Sequence, residues 1–301
     1  MSEESTDSTK SGRDTARAST KATKFPKILS SKYEYQILGD LGKGAFGKVY
    51  LANRELDNKK VAVKVIPIKH KETCANEVAI LKKLPNHLNV CGFVEYFKDS
   101  SNMYIVLEYI PGQDLYNYLL PYLGKMEFAN IPNILSILQQ MIAAIAAIHL
   151  AGICHRDIKL ENFMVTIDDH GLPIVKLIDF GLSDFIVNIR QETIGSRLWI
   201  APETIVILKN RPIKETCDVW SFGMVMMEIY LGKPQFDFGT FDDLLVTISK
   251  LSSPPIPEKL RNDKSAAGIW LCSIATLCLQ IDPVQRPSAE RLVVFSKTAS
   301  F

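Results

Sequence analysis

His155-Arg156-Asp157-Ile158-Lys159-Leu160-Glu161-Asn162 places an acid, an ammonium and an amide within one tight loop. Further on, Asp179-Phe180-Gly181 puts a second acid on a turn, directly after the run Val175 to Ile178. An Asp able to accept a hydroxyl proton, a Lys able to meet phosphate charge, and an Asn plus an Asp able to hold a divalent metal are the parts that phosphoryl transfer requires.

Upstream, Tyr35 to Leu41 alternates as a strand and leads into Gly42-Lys43-Gly44-Ala45-Phe46-Gly47-Lys48-Val49. Glycines let a backbone approach phosphates without a Cβ clash. That spacing also suits a dinucleotide site, but such a site needs a helix next. Val49-Tyr50-Leu51-Ala52 reads as a second strand, so a β-hairpin lid over a nucleotide fits better. Val61-Ala62-Val63-Lys64-Val65 is the next strand, and its alternation sets Ala62 and Lys64 on one face. Alone, Lys64 would be a solvated strand lysine. Following the glycine run, it is placed to reach phosphates beside a small residue that lines an adenine slot.

Thr73 to Leu84 reads as a helix carrying Glu77, and Leu88 to Phe97 and Met103 to Ile110 as two strands. From Leu115 the pattern turns helical. Ile134 to Leu150 is a long helix, and Ser136, Gln139, Gln140 and His149 mark it as a core helix and not a membrane span. Phe163 to Val165 and Ile174 to Ile178 form a strand pair around Asp168-Asp169-His170-Gly171. Further helices are expected from Asp218 to about Tyr230, from Gly268 to Leu279 and from Ser288 to Phe295.

Composition bounds the answer. At 301 residues and 47% hydrophobic, the chain can bury a full core in one large domain or two packed lobes. A net charge of +2 is too small to argue for nucleic acid or an anionic membrane as the main partner. Six scattered cysteines with no C-x-x-C pair favour buried thiols in a reducing intracellular setting, cytoplasmic or nuclear. Residues 1–30 are polar and read as a disordered tail, with no apolar stretch for secretion and no Gly after Met1 for myristoylation.

H-R-D-x-K-x-x-N followed by D-F-G resembles the eukaryotic protein kinases. Gly42, Gly44 and Gly47, Lys64, Glu77, the Asp157 loop, Asp179-Phe180-Gly181, Ala201-Pro202-Glu203, Asp218 and Arg286 occur in that family's order. The resemblance covers roughly residues 33–295. It implies an α+β, bilobal protein kinase fold: a small β-rich lobe at about 33–110, a helical lobe at about 111–295, and a short tail at 296–301. It implies ATP and Mg2+ as cofactors and protein Ser/Thr hydroxyls as acceptors. Asp157 and Lys159 take the catalytic roles, and Asn162 and Asp179 the metal. Leu41, Gly42, Gly44, Gly47, Val49, Ala62, Lys64, Glu77, Glu108, Ile110 and Asp114 surround ATP. It further implies a buried Glu203–Arg286 ion pair, a spine of Leu81, Phe93, His155 and Phe180, and a wall of Val49, Ala62, Leu115 and Met164.

Glu161 and Glu228 match two acids that receive upstream Arg side chains in basophilic kinases, and Asp114 can add a third. Arg156 usually meets a phosphate on the segment after Asp-Phe-Gly. Here Asp184 stands where that family commonly has a second cation, so Glu192 is expected to pair with Arg156, with Thr193 as a rival phosphosite. The run Asp179-Phe180-Gly181-Leu182-Ser183 leans towards the calcium/calmodulin-dependent-like group. The other class of answer is a pseudokinase scaffold that binds partners without turnover. It is marked by loss of Lys64, Asp157 or Asp179, and all three are present. A monomer without a membrane span is expected.

Overall fold

The structure is a computed structural model and describes residues 27–43, 47–125, 127–189, 194–205, 213–236 and 239–298. Gly44, Glu192, Thr193 and the polar stretch up to residue 26 lie outside the described residues.

The first lobe is one antiparallel sheet with a single long helix against it. Its strands are β1 (Lys27–Leu29), β2 (Glu34–Lys43), β3 (Lys48–Arg54), β4 (Lys59–Pro67), β5 (Phe93–Lys98) and β6 (Asn102–Glu108), in the order β1-β2-β3-β4-β6-β5. Helix α1 (Lys71–Leu81) lies between β4 and β5 in the chain. The pleat sorts β4 into two faces. Val61 and Val63 join Tyr35, Ile37, Tyr104 and Val106 in a small cluster on one side, over which Tyr35, Phe97 and Tyr104 stack at 6.0 and 4.8 Å. Ala62, Lys64 and Ile66 point the other way, towards the cleft and the main core.

Three boundaries depart furthest from those expected. β1 draws Lys27, Ile28 and Leu29 out of the polar tail by pairing them with Gln36, Tyr35 and Glu34. α1 stops at Leu81, not Leu84: Lys83 and Leu84 tighten into turns on Ile80 O and Leu81 O, and Pro85 disfavours the helical region at Leu84. The strand read from Leu88 begins only at Phe93. The residues before it tie the two lobes together: Asn89 donates to Val175 O and to Gln140 Oε1, and Val90 bridges Leu177.

The second lobe comprises β7 (Gln113–Asp114), α2 (Leu115–Leu119), α3 (Ile134–Leu150), β8 (Ile153–Cys154), β9 (Phe163–Ile167), β10 (Pro173–Leu177), β11 (Asp184–Phe185), α4 (Thr216–Leu231), α5 (Phe241–Ser249), α6 (Glu258–Arg261), α7 (Ala266–Cys278) and α8 (Ala289–Ser296). α3 is its axis. Ile137, Met141, Ile145 and Ile148 are fully buried there. Each β-branched Ile costs a helix only a few tenths of a kcal/mol relative to Ala, whereas burying its side chain contributes roughly 1.5–3 kcal/mol, so packing decides. The bilobal arrangement, β-rich above and helical below, is the fold expected from the motif order. The interval between β8 and β9 is the Asp157 loop, and β11 pairs back onto β8 through Asp184↔Cys154 and Phe185↔Ile153.

Candidate active site

Between the lobes lies a cleft of about 560 Å3, within the range of small-molecule sites. Leu41, Gly42, Val49, Ala62, Lys64, Glu77, Glu108, Ile110, Asp114, Asn162 and Asp179 all line it. Gly47 does not; a Cβ there would sit 2.1 Å from Val65 O, so this glycine lets β3 pass close to β4. Leu115 is fully buried and outside the lining, unlike its expected partners Val49, Ala62 and Met164. Cys91, Leu107 and Tyr109 complete the back and edge of the cleft.

Lys64 is 4% exposed and is held from two directions. Its ammonium donates to Glu77 Oε1 at 2.6 Å and to Asp179 Oδ1 at 3.1 Å. Burial works to lower the Lys64 pKa, but the two carboxylates outweigh it and keep the ammonium charged. Glu77 Oε2 finds no hydrogen-bond partner among the described residues, so the pair is an electrostatic clamp and not a saturated network. Asp179 takes φ +56°, in the left-handed region, which turns its carboxylate into the cleft. Burial pushes the Asp179 carboxyl up and Lys64 more than offsets this, so it stays ionised. Behind it Phe180 is buried against His155, ring centroids 5.1 Å apart, in the same core as Leu81 and Phe93.

The Asp157 loop is held by contacts with residues far away in the chain. Asp218, fully buried at the start of α4, accepts from His155 N at 2.7 Å, Arg156 N at 2.8 Å and His149 Nε2 at 2.9 Å. These bonds hold Arg156 at φ +64°, a conformation a non-glycine residue keeps only when its surroundings over-determine it. Asp157 then meets four groups. Asn162 Nδ2 donates to its Oδ2 at 2.9 Å, Lys159 lies 2.9 Å from the same oxygen, and Ser196 donates both its N–H and its hydroxyl to Oδ1. Burial raises this carboxyl, and Ser196 and Lys159 together bring it below the usual range. Ser196 reaches the loop because Gly195, at φ +115°, packs on Arg156 O, where a Cβ would fall 2.5 Å away.

The remaining acids separate by role. Asp114 lines the cleft but also caps α2, taking the N–H and side-chain amide of Asn117 at 2.9 and 2.6 Å. Glu161 is exposed. Glu228 is buried and accepts from Trp199 Nε1 at 3.0 Å, so it is a packing acid and not an open acceptor for substrate. Burial lifts its carboxyl to about 7; Trp199 opposes the rise and Glu161 adds to it. The unfolded chain therefore releases this proton first as pH climbs from about 4.5, and stability is lost progressively until about pH 7. Glu228→Gln keeps the acceptor for Trp199 without a charge. Its gain in urea-unfolding free energy over wild type is expected to widen from pH 5 to pH 8, reaching about 2–3 kcal/mol. A gain that does not vary with pH would show that Glu228 is ionised freely in the fold.

Taken together, a glycine-bearing hairpin, a clamped lysine, and an Asp157 docked by Asn162 and Ser196 beside Asp179 are the arrangement of a protein kinase cleft. The sequence pattern of the protein kinase domain matches residues 35–295, and the chain belongs to that family. It is 34% identical over 249 residues to CDPK-related kinase 7 of Arabidopsis thaliana, covering 77% of this chain and 41% of that protein. It is 30% identical to Serine/threonine-protein kinase Nek5 of Homo sapiens, covering 86% and 36%. It is 31% identical to Serine/threonine-protein kinase ppk25 of Schizosaccharomyces pombe, covering 85% and 58%. The chain thus spans about a third to three fifths of the length of these relatives. The relatives include CDPK-related and calcium/calmodulin-dependent kinases as well as Nek5.

Proposed function

We propose that the chain transfers the γ-phosphoryl of ATP to Ser and Thr hydroxyls of proteins. The observation that supports this reading is that Lys64, Asn162 and Asp179 line one cleft and Asp157 is bonded to Asn162 beside it. The backbone of 108–110 borders the slot where adenine would lie, with Ala62 and Leu107 lining it. Glu77 holds Lys64 for the α and β phosphates. The donor set suits Mg2+: Asn162 commits its amide nitrogen to Asp157, which leaves its amide oxygen as a donor in the cleft that Asp179 also lines, and hard oxygen ligands are what this ion takes. When bound, Mg2+ would neutralise charge on the transferring phosphates.

Asp157 orients the acceptor hydroxyl and takes its proton, while Lys159 offsets charge on the γ-phosphate. An ionised Asp157 suits that task at neutral pH. Scaffolding without turnover is the weaker reading, since the Lys64–Glu77 clamp is closed and the Asp157 loop is assembled. The six free thiols fit a reducing intracellular compartment. Among the described residues no helix is long and apolar enough to cross a membrane.

Incubation with Mg-ATP and a degenerate peptide library should label Ser and Thr. The acceptor class rests on the resemblance, since Lys159 two residues after Asp157 matches the Ser/Thr kinases; its ammonium donates to Ser196 Oγ at 2.8 Å. Phosphoamino-acid analysis returning mainly phosphotyrosine would reject the Ser/Thr assignment. No transfer to any peptide would favour the scaffold.

A further inference from the structure

Arg156 was expected to need a carboxylate, and among the described residues Asp184 supplies one. The Arg156 guanidinium donates from Nε to Leu182 O at 2.7 Å, and its terminal nitrogen lies 3.7 Å from Asp184 Oδ2. Both side chains are largely shielded, at 11% and 17% exposure, so solvent screens the pair only in part. Asp184 is itself fixed. It pairs in β11 with Cys154 of β8, the strand that runs directly into the Asp157 loop, and its Oδ1 accepts the N–H of Phe185 at 2.9 Å.

The cavity beside the pair, about 750 Å3 between α1 and this segment, is lined by Arg156, Asp184, Glu72, Thr73 and Asn76 among others. Among its described lining residues Arg156 is the single cation and stands against two acids. A phosphate brings close to two negative charges and needs several cations to hold it. Among the described lining residues it would meet one guanidinium already engaged by a carboxylate. The same segment is tied to α1 by Asn76, whose side chain donates to Ser183 O at 3.0 Å, one residue before the Glu77 that clamps Lys64.

We propose that Asp184 is a positioning residue: its carboxylate holds Arg156, and through Arg156 the backbone of Asp157, so that the site is assembled without a phosphate on the segment. Asp184 touches no reacting atom. Among the described residues Asp184 is the carboxylate that pairs with Arg156, and Glu192, the partner expected for it, lies outside them. Only the kinetic arm of the test below rests on the phosphotransfer reading.

Wild type, Asp184→Asn and Asp184→Glu are treated with phosphatase, and mass spectrometry confirms that they carry no phosphate. Wild type should keep its rate within about twofold of the untreated protein. Asp184→Asn should lose at least tenfold in kcat with KM for ATP within twofold, and Asp184→Glu should recover most of that loss. Amide hydrogen exchange of 153–158 should be at least tenfold faster in Asp184→Asn than in wild type or Asp184→Glu. Unchanged exchange and kcat in Asp184→Asn would overturn the inference, as would a tenfold collapse of dephosphorylated wild type. If wild type transfers no phosphate to peptides, the phosphotransfer reading falls, while the exchange measurement still decides the role of Asp184.

Discussion

Asp157→Asn is expected to cut kcat for peptide phosphorylation by about 100- to 10,000-fold, the range for removing a positioned general base, with ATP affinity held within about threefold. The asymmetry follows from where Asp157 sits. It is absent from the cleft lining and is bonded to Lys159, Ser196 and the cleft residue Asn162. An Asn side chain can still accept from Ser196, so the loop should keep its shape while losing its proton acceptor. Lys64→Met is the complementary variant. It removes the cation shared by Glu77 and Asp179, leaving two acids across a narrow gap, and should lower both transfer and ATP affinity. Radiolabel transfer separates chemistry from binding, and titration calorimetry with ATP reports the binding. Wild-type transfer by Asp157→Asn would remove Asp157 from the mechanism.

The parts of this site that were legible in the sequence share one property: each is announced by its immediate neighbours. Lys64 stands in an alternating strand, and the α3 boundaries follow from an apolar run that begins after Asn133 and ends before Gly152. Asp157, Asn162 and Asp179 come with short fixed spacings. What was not legible depends on partners distant in the chain. The Arg156–Asp184 pair is created by β8 and β11, strands of two residues each, too short to show any periodicity. The bond between Glu228 and Trp199 spans 29 residues, and nothing local distinguishes a buried helical Glu from a substrate-facing one. Asp114 does carry a readable signal, an acid at the start of a helix, but its capping role went unseen beside its expected place near ribose. α5 was missed despite its capping box, in which Thr240 and Asp243 bond reciprocally, because the apolar run behind it is short.

Breaking the Glu203–Arg286 pair should have the largest effect on stability. Both side chains are fully buried, and the guanidinium meets the carboxylate through two parallel bonds, NH1 to Oε1 at 2.5 Å and NH2 to Oε2 at 2.7 Å. Arg286 also donates from Nε to Gln280 O at 2.7 Å and lies 5.0 Å over the Trp220 ring, so it joins the Ala201-Pro202-Glu203 turn to α4 and to the end of α7. Arg286→Met leaves a buried carboxyl group without its partner and should cost roughly 3–5 kcal/mol. For a domain of this size that corresponds to a fall in Tm on the order of 10 °C. The double variant Glu203→Leu with Arg286→Met removes the stranded carboxyl, and packing should then return a large part of the loss, since apolar replacement of buried ion pairs is often neutral. Recovery of stability need not bring recovery of turnover. The turn before Glu203 carries Trp199, whose carbonyl accepts from Ser221 Oγ at 2.8 Å, and it follows directly on the Ser196 that docks on Asp157. If the double variant melts no higher than Arg286→Met alone, the cost lies in the lost guanidinium contacts and not in the stranded carboxylate.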